Sequence, residues 1–141
     1  MIPYNYDPKN PYSPTPYVTN IEQKSMQNAN FRTAIWTGNH VQMTLMCIPV
    51  CSDIGLEIHP DTDQIIRIEQ GMALVKMGQK KNELHFQFEV YKDDAIFVPA
   101  GTWHNIINIG RTPLRVSSVY APPHHPSGTV QRTKEEAQED Y

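Results

Sequence analysis

The chain has 141 residues, a formal net charge of -3 and two cysteines, enough for one hydrophobic core but not for a second domain of ordinary size. Lys and Arg are scattered singly, so there is no basic stripe to neutralise a phosphate backbone, and nucleic acid is excluded as an expected partner. No apolar run approaches the roughly 20 residues of a membrane helix, and Met1-Ile2-Pro3-Tyr4-Asn5 lacks the charged and apolar regions of a signal peptide, so no membrane is expected and the expected location is cytoplasmic.

Residues 1–30 form the first segment. Five of the twelve prolines (Pro3, Pro8, Pro11, Pro14, Pro16) and four of the seven tyrosines (Tyr4, Tyr6, Tyr12, Tyr17) fall before position 20, which excludes helix and interior strand there. This Pro/Tyr-rich arm either stays mobile or lays its tyrosines along the body or a second copy. Asn20 then caps a short helix through Ile21–Met26 that ends near Asn28.

From residue 31 to 120 the texture is short β-branched, aromatic and aliphatic runs broken by Gly, Pro, Asn and Asp, the spacing of an all-β sandwich or barrel. The expected strands are Arg32–Thr37, Val41–Ile48, Leu56–His59, Gln64–Glu69, Ala73–Met77, Leu84–Tyr91, Ala95–Val98, Trp103–Asn108 and Leu114–Tyr120. In the sixth, Leu84, Phe86, Phe88 and Val90 share one face and His85, Gln87 and Glu89 the other, which makes His85 a solvated residue. Cys47 and Cys51, if extended, lie about 13 Å apart, beyond the roughly 7 Å that a disulfide spans, so both are expected reduced. Residues 121–141 begin as a loop, Ala121-Pro122-Pro123-His124-His125-Pro126, and end in a short helix for which Thr133 and Glu136 have capping-box spacing. With no apolar spacing, that helix is expected to fray.

Chemistry concentrates in two segments. Glu57 and His59 are two apart on a strand and project from one face, Gln64 follows a Pro-Asp-Thr-Asp bend, and His104 follows the Pro99-Ala100-Gly101 turn. Two imidazoles, one carboxylate and one amide suit a divalent ion such as Mn, Fe(II), Ni or Zn. A competing register pairs His59 with Asp61 and takes Asp63 or Gln64 third.

These segments resemble the two motifs of the cupin superfamily. In the first, Gln64 followed by six residues and Gly71 fixes the register; His59 takes the second histidine's place, Glu57 the first's, and Cys51 the leading glycine's. In the second, Pro99, Gly101, His104 and Asn108 match in order, and Asp93 stands where the family has glycine. The resemblance covers about residues 40–120. It implies a double-stranded β-helix, or jelly-roll barrel, that usually pairs into a homodimer, and a metal held by Glu57, His59, Gln64 and His104. Glu57, His59 and His104 form the ligand set of a facial triad that leaves positions open for substrate.

The sequence looks like the small cupins compared with mannose-6-phosphate isomerase. The leading expectation is a metal-dependent enzyme acting on a small polar substrate, with sugar-phosphate isomerisation the named reaction and Asp61 or Asp63 the general base. The alternatives are an Fe(II)-dependent dioxygenase and a non-catalytic small-molecule or metal-binding protein. Trp103 reads as barrel wall, His40 as surface, Arg67 as external, and His124 and His125 as loop residues outside the ligand set. Tyr120 and Arg115, if inward, are candidates to bind an anionic substrate.

Overall fold

The structure, a computed structural model, describes residues 14–139. The arm's Tyr4, Tyr6 and Tyr12 lie outside the described residues. Within them the order is α1 (Ile21–Gln27), β1 (Arg32–Thr37), β2 (Gln42–Ile48), β3 (Asp63–Gln70), β4 (Met72–Gly78), β5 (Phe86–Tyr91), β6 (Ala95–Val98), β7 (Trp103–Asn108), β8 (Leu114–Ala121), β9 (Val130–Gln131) and α2 (Lys134–Glu139). Two antiparallel sheets result, one ordered β6-β3-β8-β2-β1-β9 and one β5-β4-β7. This is the all-β architecture that the short strands lead one to expect, in the double-stranded β-helix form that the cupin resemblance implies.

Alternation decides which side chains enter the barrel. On β3, Gln64, Ile66 and Ile68 are buried while Asp63, Ile65 and Arg67 are exposed; on β4, Ala73, Val75 and Met77 are buried. With Ile48, Ile106, Leu114 and Val116 they form one core, each large aliphatic side chain contributing about 1.5–3 kcal/mol relative to exposure.

Local chemistry sets the ends of the elements. The Asn20 side chain accepts from Gln23 N at 2.9 Å, the expected N-cap. Arg115 does not enter the barrel: it donates to the Ser25 and Asn28 carbonyls at 2.8 and 2.7 Å, satisfying the last turn of α1. Thr133 Oγ1 accepts from Glu136 N at 3.1 Å, and α2 is docked rather than frayed because Ala137 is buried in the core. Pro14–Pro16 run beside β1, where Trp36 Nε1 donates to Thr15 O at 2.7 Å, while Tyr17 remains exposed.

Other expectations change as well. Leu56–His59 forms no strand; only Glu57 makes a bridge, to His104. A two-residue strand, β9, appears where a loop was expected. Phe86 and Phe88 are 51% and 58% exposed and only Val90 of their face is buried, because β5 is a sheet edge with no further strand to cover it. Both cysteines are free, but Cys51 sits exposed in a turn rather than in a strand.

Among the described residues, two non-glycine residues have positive φ, Cys51 at 66° and Asp93 at 74°. They stand at the two places where the motifs of the resembled family have glycine, the residue that adopts this left-handed conformation without strain.

Candidate metal centre

The segment carrying Glu57 runs along the free edge of β7. Glu57 N donates to His104 O at 3.0 Å and His104 N to Glu57 O at 2.9 Å. Residues that exchange both backbone bonds stand directly opposite with side chains on the same face, so a single bridge places the carboxylate beside the imidazole. His59, two residues on, shares that face, and its carbonyl accepts from Gly101 N at 2.9 Å, which ties the Pro99-Ala100-Gly101 turn to it.

Ligand atoms of Glu57, His59 and His104 all lie within 4.8 Å of one another, the one such group of His, Cys, Asp or Glu among the described residues. His59 and His104 are 3% and 0% exposed. His104 Nδ1 lies 3.0 Å from Thr102 O; a carbonyl only accepts, so Nδ1 carries the proton and Nε2 presents its lone pair to the barrel interior. That Nε2, both nitrogens of His59 and Gln64 Oε1 are buried without hydrogen-bond partners. His59 Nε2 stands 3.2 Å from Glu57 Oε2 without hydrogen-bond alignment. Buried polar atoms left this way cost about 1–3 kcal/mol each, and a divalent ion is what would satisfy a carboxylate and two imidazoles converging on one point.

Electrostatics keep the donors ready. Burial raises the Glu57 carboxyl, but contact with His59 and the positive charge of Arg32 outweigh it, and the net shift is downward. Burial pushes His104 below its ordinary value, the Thr102 carbonyl offsetting part of this. An ionised carboxylate and a neutral imidazole are the forms that ligate.

Gln64 is 3% exposed and points inward from β3, with Nε2 3.5 Å from Ser118 Oγ. Asp61 and Asp63 are not brought to the cluster. Both are exposed, Asp63 because it alternates with Gln64, and its Oδ1 accepts from Ala100 N at 2.8 Å, bracing the turn. The register pairing His59 with Asp61 is therefore not the one assembled. His40 and His85 are exposed, Trp103 is half-buried, and Arg67 is external, as read from the sequence.

Sequence reasoning underrated the 121–129 loop and missed Arg32. Gln42, fully buried, holds the loop with both ends of its amide: Oε1 accepts from His124 N at 3.2 Å and His125 N at 2.9 Å, and Nε2 donates to His125 O at 2.8 Å. The loop thereby lays His124 against His59, ring centroids 4.1 Å apart, and both histidines against Tyr120. Burial lowers His124, and it drives His125 down to about 3 with help from the Arg32 charge. Arg32, 1% exposed at the start of β1, reaches Glu57 Oε1 at 3.8 Å. Nothing in the sequence marks it, since its partner Gln131 lies 99 residues away.

Residues 44–120 match the cupin domain family, and the chain belongs to it. It is 60% identical over 126 residues to YrkC, an uncharacterized protein of Bacillus subtilis, covering 89% of this chain and 68% of that one. A crystal structure of a Bacillus halodurans protein is 56% identical, with TM-score 0.88 over 89% of this chain and 96% of that one. The structure of a putative sugar phosphate isomerase from Acidithiobacillus ferrooxidans is 17% identical, with TM-score 0.50 over 58% of this chain and 50% of that chain, a likeness of fold alone.

Proposed function

We propose that the protein is a metal-dependent enzyme for a small polar substrate, its divalent ion held by Glu57, His59 and His104 with Gln64 as a fourth, weaker donor. The observation that carries this is the set of buried, partnerless nitrogens converging with one carboxylate, beside a cavity of about 300 Å³ lined in part by Glu57 and His59. When bound, the metal supplies Lewis acidity to a substrate carbonyl. The chain's own contribution is to orient the substrate against the triad and to move a proton.

His124 suits the second task better than Asp61 or Asp63. It lies against His59, and its lowered pKa leaves it a neutral base at pH 7. Sugar-phosphate isomerisation remains the named reaction, supported by the cupin fold and by this pairing of metal donors with a base. The two-histidine, one-carboxylate set equally supports an Fe(II)-dependent dioxygenase. A homodimer is supported by the apolar exposure of Phe86, Phe88 and Phe97 at neighbouring sheet edges.

The test is to load the protein with Mn, Fe(II), Ni or Zn and assay sugar-phosphate interconversion and oxygen uptake, with a His124→Gln variant beside the wild type. Turnover that chelation abolishes and His124→Gln lowers at least tenfold supports the reading. Loaded protein that holds its ligands unchanged on long incubation favours a binding protein instead.

A further inference from the structure

Resting on the metal-site reading above, we infer that the substrate is an anion whose charged group sits immediately beside its metal-binding oxygen, as in a 2-oxo or 2-hydroxy carboxylate, and that Arg32 receives that group. Arg32 is one of the largest fully buried side chains of the protein. Its guanidinium is only partly paired for a buried cation: Nη1 donates to Gln131 Oε1 at 2.6 Å, the Tyr120 hydroxyl and the Phe31 ring lie beside it, and the Met46 sulfur and Glu57 Oε1 stand 3.7 and 3.8 Å from Nη2, but Nε has no partner and no carboxylate is gripped by two donors. A guanidinium is built to bind a carboxylate with two parallel donors. Here Glu57 is too distant to be gripped that way, which leaves its lone pairs to the metal.

Charge leads to the same place. Glu57 balances Arg32 while the site is without metal, but a divalent ion adds two positive charges, and the cluster holds no second carboxylate to offset them. Lys134, at the cavity wall, is already paired with Asp53. Uncompensated charge in a buried site is costly, and an anionic substrate removes it. The cavity is lined by Arg32, Glu57 and His59 together with apolar Phe31, Ile54 and Ala137; its 300 Å³ equals roughly ten waters, room for a short acid. Because Arg32 stands within 4 Å of Glu57, it favours a charged group next to the coordinating oxygen, and a short acid would then take the place of the sugar phosphate named above.

Calorimetric titration of Zn-loaded wild type with pyruvate, with its neutral analogue hydroxyacetone and with inorganic phosphate tests this without any variant. Pyruvate binding at least tenfold tighter than either of the others is expected; hydroxyacetone binding as well as pyruvate, or pyruvate failing to bind, overturns it. Phosphate binding tightest would assign the pocket to a phosphate and overturn the carboxylate assignment. Arg32→Met, with Arg32→Lys in reserve if it does not fold, should weaken pyruvate binding by about 10- to 100-fold while zinc affinity rises, since a neighbouring positive charge is gone. Zinc affinity falling with pyruvate affinity unchanged would mark Arg32 as structural. A wild type that takes up no zinc would instead overturn the metal-site reading, so the two failures are distinct.

Discussion

Two glutamates are carried into this barrel's shielded regions and are treated in opposite ways. Glu69, its side chain 1% exposed, accepts from Arg67 Nη1 at 2.7 and 2.8 Å and from Ser117 Oγ at 2.9 Å. Glu57, its side chain 16% exposed, faces a guanidinium at 3.8 Å and an imidazole at 3.2 Å that is not aligned to bond it. Burial costs both carboxylates their hydration. The first recovers it from the protein; the second is left to recover it from something that binds. Buried charge that is fully paired is architecture, and buried charge held near partners but not bonded to them marks a site.

The comparison breaks most readily through the metal. Glu57→Gln should lower divalent-metal affinity by more than 100-fold, since loss of groups that merely orient a ligand already costs 10- to 100-fold, and it should leave apo-protein stability unchanged or raised. Metal titration followed by urea unfolding of the apo form checks both. Retained affinity would give the carboxylate role to another residue.

Arg67→Met should do the reverse. It strands Glu69 without its cation and is expected to destabilise the fold by about 2 kcal/mol, less than a fully buried pair because Arg67 is half exposed. Metal affinity should not move, and if it does the two regions are coupled.

A smaller effect sharpens the picture of the loop. His125 falls to about 3 in the folded protein, from an ordinary value of 6.5. A depressed folded value means that the unfolded chain binds the proton more tightly, so stability is level above about pH 7 and declines below 6.5. At pH 5 the loss is about 2 kcal/mol. Unfolding of chelator-treated protein at pH 7.5 and 5 measures it, and His125→Leu should flatten the slope.

The smallest effect lies at the positive-φ turns. Cys51→Gly should raise stability by about 1 kcal/mol by removing left-handed strain. Asp93→Gly should gain less, because it also breaks the Asp93–Arg67 ion pair at 2.7 Å. Thermal unfolding midpoints compare them.

Much of this was readable from residue order. Short β-branched, aromatic and aliphatic runs broken by Gly, Pro, Asn or Asp located β1, β6 and β7 to the residue. Spacing of two within an extended segment placed Glu57 and His59 together, and the Pro-Ala-Gly turn pointed to His104. Alternation separates two faces but does not say whether either is covered, which is why Phe86 and Phe88 read as core and are exposed. Local pattern is silent on contacts closed by distant chain. Arg32 meets Gln131, and His124 reaches His59 only because Gln42 grips the loop from β2. The contacts of His124 and Arg32 therefore escaped the sequence, whereas the cluster of Glu57, His59 and His104 did not.

The central claim is that Glu57, His59 and His104 hold a metal, and elemental analysis of protein purified without added metal or chelator tests it most directly, with a His59→Ala/His104→Ala variant beside it. Near-stoichiometric Mn, Fe, Ni or Zn is expected in the wild type and none in the variant. A wild type that is metal-free and stays so on titration, or a variant that keeps the metal, would contradict it.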